Sequence, residues 1–380
     1  MTVAAIRLHH LSAPLPEVIG NALVFFQRRD TLLVELVGDD GVSGWGESWS
    51  APAAVAATIE AGFANCVLRQ EPMATGRLWH AMRVAAGHER GGPAAMAIAA
   101  LDMAAHDLAA RRRGVPLHVL LGGAVRDRVP AYASGPFFRP DGHPYRHYER
   151  DLAGYAGAGF RAFKLRIGHG PAEDARIVGA ARGIIGPDAA LMVDFNQSCS
   201  SRTALATAKR MAGAGLLWIE EPTVPGDLAG YRTLSGQVLP ALAGGETFGD
   251  AAAFLPFLQA GCMDVLQPDI AVCGGLTGVS RVAALAEAHD RPMVPHVWGS
   301  TVNFHAALHL CAALPARRSG TAAPFPWLEY DVGPNPLLDL AGRPALRPDG
   351  TVAVPDGPGL GIDLTADRLA PFLVRCRTLQ

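Results

Sequence analysis

The pattern of apolar and polar positions changes about a third of the way along the chain. From residue 126 to residue 330, short apolar runs alternate with stretches in which apolar residues recur every three or four positions. The strand-like runs lie at 129–133, 162–167, 191–195, 216–219, 239–243, 265–267, 293–295 and 327–329. Helical stretches between them include 171–185, 203–214 and 277–288. This alternation predicts an α/β fold in which the strands form a parallel barrel.

Residues 1–125 have the opposite order, with strands first and helices after them. Strands are predicted at 3–11, 31–37 and 42–47, the last two joined by an Asp-Gly turn, and the stretch 14–28 is predicted to be a loop. Helices are predicted at 51–69, 76–86 and 93–113, with Gly114 as the stop of the last one. We therefore predict a separate α+β domain. The tail, 331–380, shows one strand at 351–354 and no further βα unit, so we expect it to pack back on this domain.

Three acidic residues follow three successive strands of the predicted barrel. Asp194 and Glu220 are 26 positions apart, as are Glu220 and Glu246, which is close to the roughly 31 residues of an average barrel repeat. One such acid would be an ordinary helix cap, whereas three at equal intervals would converge at the C-terminal end of the barrel. Converging carboxylates repel one another unless a cation lies between them, and hard oxygen ligands suit Mg²⁺. The spacing therefore predicts a magnesium site.

Two cations share one face of the second barrel strand. Lys164 and Arg166 are two positions apart, and the apolar Phe163 and Leu165 should face the helices. Both cations should then point into the barrel, where they need anionic partners. A structural salt bridge to a neighbouring strand is the alternative, and it is a stronger alternative for Arg166 than for Lys164.

A histidine and two further acids end the last three strands. Asp269 and His296 follow neighbouring strands, so the carboxylate can hold the imidazole in one tautomer, as a general base requires. A lone histidine would more often be a packed residue, but the acid at the matching height favours catalysis. Glu329 ends the eighth strand, where a carboxyl group could be held protonated and donate a hydrogen bond to a developing oxyanion.

Composition narrows the class of protein. The chain has 380 residues, 49% hydrophobic and 18% charged, with a net charge of −2, so no basic face suggests nucleic acid or an anionic membrane. The six cysteines form no CxxC pair, which argues against a zinc site and for free thiols in a reducing cytoplasm. We find neither a signal peptide nor an apolar run long enough to span a membrane. A cytoplasmic protein is expected.

In the order and spacing of its motifs, nearly the full chain resembles the enolase superfamily, and within it the mandelate racemase-like subgroup. The motifs are Gly44-Trp45-Gly46-Glu47, Leu120-Leu121-Gly122-Gly123, Lys164-Leu165-Arg166, Asp194-Phe195-Asn196, Glu220-Glu221-Pro222, Gly245-Glu246, Gln267-Pro268-Asp269, Pro295-His296 and Pro358-Gly359-x-Gly361. The resemblance implies a (β/α)₇β modified TIM barrel at 126–330 with an N-terminal α+β capping domain at 1–125. It also implies a homo-oligomer and a small carboxylate substrate.

The resemblance also implies roles for individual residues. Asp194, Glu220 and Glu246 match the Mg²⁺ ligands, and His296 with Asp269 matches the catalytic dyad. Glu329 matches the acid that donates a hydrogen bond to the substrate carboxylate, and Lys164 matches the cation beside it. Rim residues such as Asn196 and Trp298 are expected to bind substrate, and cap loops at 14–28 and around Trp49 to close over the site.

One position departs from the racemase pattern. Arg166 stands where that pattern has a second lysine, and an arginine with a pKa above ~12 is a poor base. Racemisation needs a base on each face of the α-carbon, whereas elimination needs only one. We therefore expect dehydration of an aldonate or aldarate sugar acid. Cycloisomerisation of a sugar-acid lactone, of the galactarolactone kind, is the close alternative, followed by racemisation of a 2-hydroxy acid and a non-catalytic binding barrel.

Overall fold

The computed structural model describes residues 2–321 and 323–380. The capping domain begins with a long hairpin of β1 (Val3–Gly20) and β2 (Phe25–Gly38), to which β3 (Ser43–Ser48) is added antiparallel. The prediction of a loop at 14–28 is wrong, because both strands run through this stretch. Its prolines cannot donate to a strand ladder, and the register shifts between Pro14 and Ile19. Because of that irregularity, the sequence around these residues lacks the alternation of apolar and polar positions by which a strand is recognised.

The helices of the capping domain follow its sheet in the chain, and the first and fourth of them pack against it. These helices are α1 (Pro52–Thr58), α2 (Ala64–Val67), α3 (Thr75–Ala85), α4 (Gly92–Arg113) and α5 (Leu117–Leu120), with a π-helical turn, Ile59–Phe63, between α1 and α2. Helix α4 lies on β3 because Gly44 and Gly46 have no side chains. A Cβ at Gly46 would lie 1.9 Å from the carbonyl oxygen of Ala100. The Gly-Trp-Gly-Glu motif is therefore the place where helix and sheet approach most closely.

The second part of the chain alternates strands and helices as predicted. The elements are β4 (Arg128–Ser134), α6 (Tyr148–Gly157), β5 (Ala162–Arg166), α7 (Pro171–Ile185), β6 (Ala190–Asp194), α8 (Ser201–Arg210), β7 (Leu216–Glu220), α9 (Leu228–Ser235), β8 (Ala241–Gly244), α10 (Ala251–Gln259), β9 (Val265–Leu266), α11 (Gly275–Ala288), α12 (Thr301–Ala313) and β10 (Leu328–Asp331). The strands are parallel in the order β10-β4-β5-β6-β7-β8-β9. The fold is a modified TIM barrel with a capping domain.

The seventh barrel strand is reduced. Instead of a strand at 293–295, Met293 and His296 form isolated bridges with Leu266 and Asp269. Prolines 292 and 295 remove ladder donors here, which explains the interruption. The bridge between Asp269 and His296 still sets these two residues side by side at the C-terminal end of the barrel.

The interior of the barrel has an apolar layer beneath its charged end. The buried inward-facing residues are Tyr132, Ala162, Ala190, Met192, Trp218, Ala243, Val265, Val294, Phe325 and Trp327. Lys164 and Arg166 follow Ala162 at two-residue steps, and Asp194 follows Met192 in the same way. Every second residue of a strand faces the interior of the barrel. These residues are apolar at one end of the barrel and charged at the other.

The tail contributes to both parts of the molecule. Strand β11 (Thr351–Ala353) pairs antiparallel with β4. After the short helix α13 (Ala366–Leu369), β12 (Leu373–Leu379) pairs antiparallel with β1 and completes a four-stranded capping sheet. None of the helices in the described ranges is long and apolar enough to cross a membrane.

Candidate active site

Lys164 stands at the centre of a buried ion network. Its ammonium group bonds to Glu220, lies 2.8 Å from Glu329 Oε1 and 3.6 Å from Asp194 Oδ2. Only 1% of the side chain is exposed. Burial alone would lower the pKa of Lys164, but Glu220 and Glu329 outweigh it and hold the pKa well above its usual range. Lys164 is therefore a fixed positive charge.

The three evenly spaced acids lie at the same end of the barrel as this lysine. Asp194 and Glu220 are register partners on β6 and β7, and Glu246 follows the end of β8. Asn196 fixes Asp194 by donating its backbone N–H at 2.8 Å and its side-chain amide at 2.9 Å. Burial raises the pKa of all three carboxyl groups, and repulsion among them adds to the rise. This end of the barrel is therefore rich in negative charge.

These carboxylates do not form a closed metal site as they stand. Within residues 2–321 and 323–380, no three His, Cys, Asp or Glu side chains are arranged to hold a metal ion. Glu220 is held by Lys164 and also accepts hydrogen bonds from Trp218 Nε1 at 2.9 Å and Gln267 Nε2 at 2.7 Å. The donor set nevertheless fits a hard divalent cation, because its side chains are buried carboxylates with a surplus of negative charge.

His296 and Asp269 form the predicted pair. His296 Nδ1 lies 2.7 Å from Asp269 Oδ2, and His296 Nε2 lies 3.3 Å from Glu246 Oε2. Burial alone would lower the pKa of His296, but the carboxylates of Glu246, Glu329 and Asp269 outweigh it and raise the pKa to about 10. Asp269 Oδ1 also accepts hydrogen bonds from Asn303 Nδ2 and the N–H of Ala271. The imidazole is thus held in one orientation, with Nε2 directed toward the carboxylates.

Glu329 differs from its prediction. It accepts hydrogen bonds from Ser134 Oγ at 2.6 Å and from the N–H of Val297 at 3.0 Å, in addition to its contact with Lys164. Burial alone would raise the pKa of Glu329, but Lys164, His296 and Ser134 together lower it to about 2. The expected protonated carboxyl group is therefore wrong for this structure. Glu329 is ionised and accepts hydrogen bonds. The reason is that Lys164, which was expected beside the substrate, lies beside Glu329.

Arg166 is buried, and none of the described carboxylates lies within salt-bridge distance of it. Its Cζ lies 4.0 Å from the ring centroid of Phe137, and its Nη2 is 3.4 Å from Ser134 Oγ. In the described part of the chain, Arg166 forms no salt bridge and its Nη1 has no hydrogen-bond partner. The alternative of a structural ion pair is therefore not what holds this residue. Its cation remains available to a ligand.

The capping domain completes the dyad. Trp49 donates its indole N–H to Asp269 Oδ2 at 2.9 Å, and its ring centroid lies 5.9 Å from that of His296. Glu47 accepts hydrogen bonds from the N–H groups of Ser300 and Asn303, at 2.7 and 2.9 Å, at the start of α12. Sequence reasoning placed Trp49 in a cap loop but missed its contact with Asp269. No period or spacing encodes a contact between residues 220 positions apart.

The rim residues predicted to bind substrate have different surroundings. The side-chain N–H₂ of Asn196 donates to Asp194, whereas the Oδ1 of Asn196 has no partner among the described residues. Trp298 is half-buried, and the guanidinium group of Arg29 stacks on its ring, with Arg29 Cζ 3.6 Å from the ring centroid. Sequence reasoning named Gln267 only as part of a motif and missed Ser134, although both have the inward parity of their strands and their roles could have been found by that signal.

Comparison with known families gives matches over both parts of the chain. Residues 9–122 match the mandelate racemase / muconate lactonizing enzyme N-terminal domain. Residues 147–368 match the enolase C-terminal domain-like family. The two matches follow the order of the capping domain and the barrel in this structure.

Individual relatives span nearly the whole chain. The chain is 37% identical over 376 residues to D-galactarolactone cycloisomerase of Agrobacterium fabrum, covering 98% of this chain and 99% of that one. It is 28% identical to arabinonate dehydratase of Saccharolobus solfataricus, with 87% of each chain covered. A racemase from Streptomyces coelicolor, solved with bound magnesium, superposes with a TM-score of 0.87 at 29% identity, covering 98% of this chain and 100% of that one.

Proposed function

Because the chain belongs to the mandelate racemase and muconate lactonizing enzyme family of the enolase superfamily, we propose that it removes the α-proton of a sugar acid or of its lactone. It is an enzyme of the lyase or isomerase type. The reaction we propose first is cycloisomerisation, in which loss of the α-proton opens a lactone ring by β-elimination.

Asp194, Glu220 and Glu246 would hold Mg²⁺ in the working enzyme. This proposal is supported by their buried carboxylates and by the magnesium in the racemase relative. When bound, Mg²⁺ supplies positive charge that stabilises the enediolate formed as the α-proton leaves. Lys164 adds a fixed charge beside the same carboxylates.

His296 is the proposed base. Its Nδ1 is held by Asp269, so Nε2 is the nitrogen that can accept the α-proton. Mg²⁺ held by Glu246 would offset the carboxylate charge that raises the pKa of His296, and the neutral imidazole could then take the proton. Asp269 in turn stabilises the imidazolium that results. Glu329 holds Lys164 and the backbone after His296, which keeps the base and the cation in fixed relative positions.

A single base is the observation that supports elimination over racemisation. Arg166 stands where the racemase pattern has a second base, and Lys164 is bound by carboxylates. In a lactone the leaving group is a carboxylate, which departs without taking a proton. Opening a lactone therefore needs only His296, and the relative named D-galactarolactone cycloisomerase supports this choice.

Dehydration of a sugar acid is the second candidate. Hydroxide is a poor leaving group, so His296 would have to return its proton to the departing hydroxyl on the same face of the substrate. The dyad is suited to this, because Nε2 is its only exchanging nitrogen. The relative named arabinonate dehydratase supports this candidate.

The test is a panel of sugar acids and sugar lactones, incubated with the enzyme and Mg²⁺ in D₂O. Nuclear magnetic resonance should show consumption of a lactone and formation of a 2-keto-3-deoxy diacid. His296→Asn should lower the rate by about 10³-fold, and removal of Mg²⁺ by a chelator should abolish turnover reversibly. His80→Asn, an exposed histidine on α3, is the matched control and should retain the wild-type rate.

The outcomes separate the alternatives. Conversion of open-chain sugar acids alone would favour dehydration. Deuterium exchange into both enantiomers without elimination would favour a racemase. Wild-type rates in His296→Asn would contradict the assigned base, and a panel without exchange or turnover would favour a binding protein.

A further inference from the structure

A second buried guanidinium reaches the barrel end from the capping domain. Arg29 lies on β2, and its Cζ is 3.6 Å from the ring centroid of Trp298 and 6.0 Å from that of Phe137. Arg166 approaches the same two rings, at 5.7 Å and 4.0 Å. Both arginines are 3% exposed. Two like charges from different domains thus flank one pair of aromatic rings.

The two guanidinium groups have more hydrogen-bond donors than the surrounding residues have acceptors for them. Arg29 Nη2 donates to Asp331 Oδ2 at 3.0 Å. Arg29 Nε, Arg29 Nη1 and Arg166 Nη1 are buried and find no hydrogen-bond partner in residues 2–321 and 323–380. Buried donors of a charged group are costly to leave unpaired. Asp331 alone therefore does not satisfy the two cations, and the unpaired donors point to an anionic ligand.

Asp331 cannot turn toward Arg166 without losing its other contacts. Its Oδ1 accepts a hydrogen bond from the N–H of Gly333 at 2.9 Å, and its Oδ2 accepts a second, from Asn335, at 3.3 Å. Burial lowers the pKa of Arg29 to about 10 although Asp331 opposes the shift, so Arg29 stays charged at neutral pH. The positive charge at the aromatic pair is thus fixed before any ligand arrives.

The site lies at a suitable distance from the proposed chemistry. Arg166 is two positions beyond Lys164 on the same face of β5, which separates their backbones by roughly 6.6 Å. A short sugar acid whose reacting carboxylate lies at Lys164 would direct its other end toward Arg166 and Arg29. Guanidinium groups bind carboxylates through charge-assisted hydrogen bonds, and Arg29 Nε, Arg29 Nη1 and Arg166 Nη1 are the donors left unpaired for them.

We infer that Arg29 and Arg166 form the subsite that holds the second carboxyl group of a diacid substrate or of its monolactone. This inference rests on the proposed function, because the first carboxyl group is the one that reacts. During elimination the α-proton moves to His296, a carbon–carbon double bond forms, and the ring carbon–oxygen bond breaks. Its electron pair stays on the ring oxygen, which becomes part of the second carboxylate. Arg29 and Arg166 would stabilise that developing charge.

The test compares two ligands that differ only at the far end. Galactarate carries a second carboxylate where galactonate carries a hydroxymethyl group. Calorimetric titration of the Mg²⁺-loaded wild type should show galactarate binding at least about tenfold more tightly. In Arg29→Met this preference should fall to about twofold or less because galactarate binding weakens, while galactonate binding stays unchanged.

Two further variants keep the result interpretable. Arg28→Met, at the neighbouring exposed position of β2, makes the same replacement away from the site and should keep the wild-type preference. Arg29→Lys retains a charge for Asp331 and therefore protects folding, but it lacks the fork, so most of the preference should still be lost. Melting curves of each variant report whether it is folded.

The results distinguish the subsite from the proposed function. A preference for galactarate that survives in Arg29→Met and Arg29→Lys would overturn the subsite, as would equal weakening of both ligands. Either result leaves the proposed function standing if the wild type still exchanges α-protons in D₂O. Absence of such exchange with every sugar acid and lactone would overturn the proposed function and the subsite with it.

Discussion

At the scale of single residues, the most informative contact is the one that the capping domain makes with the dyad. Trp49 Nε1 and His296 Nδ1 both bond to Asp269 Oδ2, at 2.9 and 2.7 Å. Trp49 does not touch the reacting atoms, so its role is to position Asp269. Such outer contacts typically set the orientation of the group that they support.

We expect Trp49→Phe to lower kcat by about tenfold with little change in KM, because it removes a hydrogen bond to a buried carboxylate but keeps an aromatic ring beside His296. Steady-state kinetics on the substrate found above would measure this. Trp45→Phe makes the same change in the neighbouring motif, where the ring packs on His9 at 5.4 Å, and should keep kcat. A fall in kcat of equal size in both variants would mean that Trp49 is merely structural.

Strand parity explains which residues of the site could be predicted. Lys164, Arg166, Asp194 and Glu220 all occupy inward positions of strands recognisable from their apolar runs. The protonation of Glu329 could not be predicted, since it depends on the position of Lys164 in space. Arg29 could not be found either, because the predicted strand began at residue 31 and the polar run 27–30 before it shows no apolar alternation.

At the scale of elements, α12 is buried around nearly its whole circumference and contains two histidines. His305 and His309 are 4% and 0% exposed. Burial lowers the pKa of His305 to about 4 and that of His309 to about 3. A helix of this kind depends on both imidazoles remaining neutral.

The consequence is acid sensitivity with a defined sign. Below the unfolded-state pKa of 6.5 the unfolded chain takes up a proton on each histidine while the folded chain does not. Stability is therefore lost as the pH falls from about 6.5 toward 4 for His305 and toward 3 for His309. Each histidine contributes a slope of up to about 1.4 kcal/mol per pH unit.

We expect His309→Gln to reduce the pH dependence of the unfolding free energy by about 1.4 kcal/mol per unit between about pH 5.5 and 4, because glutamine does not titrate. Urea unfolding at several pH values gives the slopes, and the difference from wild type removes the contribution of all other groups. The exposed His80→Gln serves as control and should leave the slope unaltered. Identical slopes for His309→Gln and wild type would show that His309 is already protonated in the folded state.

At the scale of the whole molecule, the barrel was easier to predict than the capping domain. Each barrel strand before the last is followed by its own helix, so the pattern repeats locally, and helix α7 has the predicted bounds. The pairing of β12 with β1 joins residues near opposite ends of the chain, and no local pattern encodes it. The seventh strand could not be predicted correctly either, because its prolines reduce it to isolated bridges with the neighbouring strand.

Contacts between the two parts hold the hairpin over the barrel end. Gly20 and Phe138 exchange backbone hydrogen bonds of 3.0 and 2.8 Å, and Arg139 Nη2 donates to Glu17 Oε1 at 2.9 Å. Glu17 is about half exposed, whereas Arg139 is buried. The ion pair is thus the part of this contact that can be weakened without disturbing the core.

We expect Glu17→Gln to raise KM by about two- to fivefold with kcat retained, because an ion pair with one exposed partner contributes at most about 1 kcal/mol. Backbone amides at 14–28 should exchange with solvent faster in the variant than in wild type, since the hairpin would leave the barrel end more often. Hydrogen exchange followed by mass spectrometry measures this segment directly. Glu71→Gln, at an exposed position away from the hairpin, should change neither quantity. Exchange at 14–28 that is unaltered in Glu17→Gln would show that the Gly20–Phe138 bridge suffices to hold the hairpin, and a rise in KM would then need another cause.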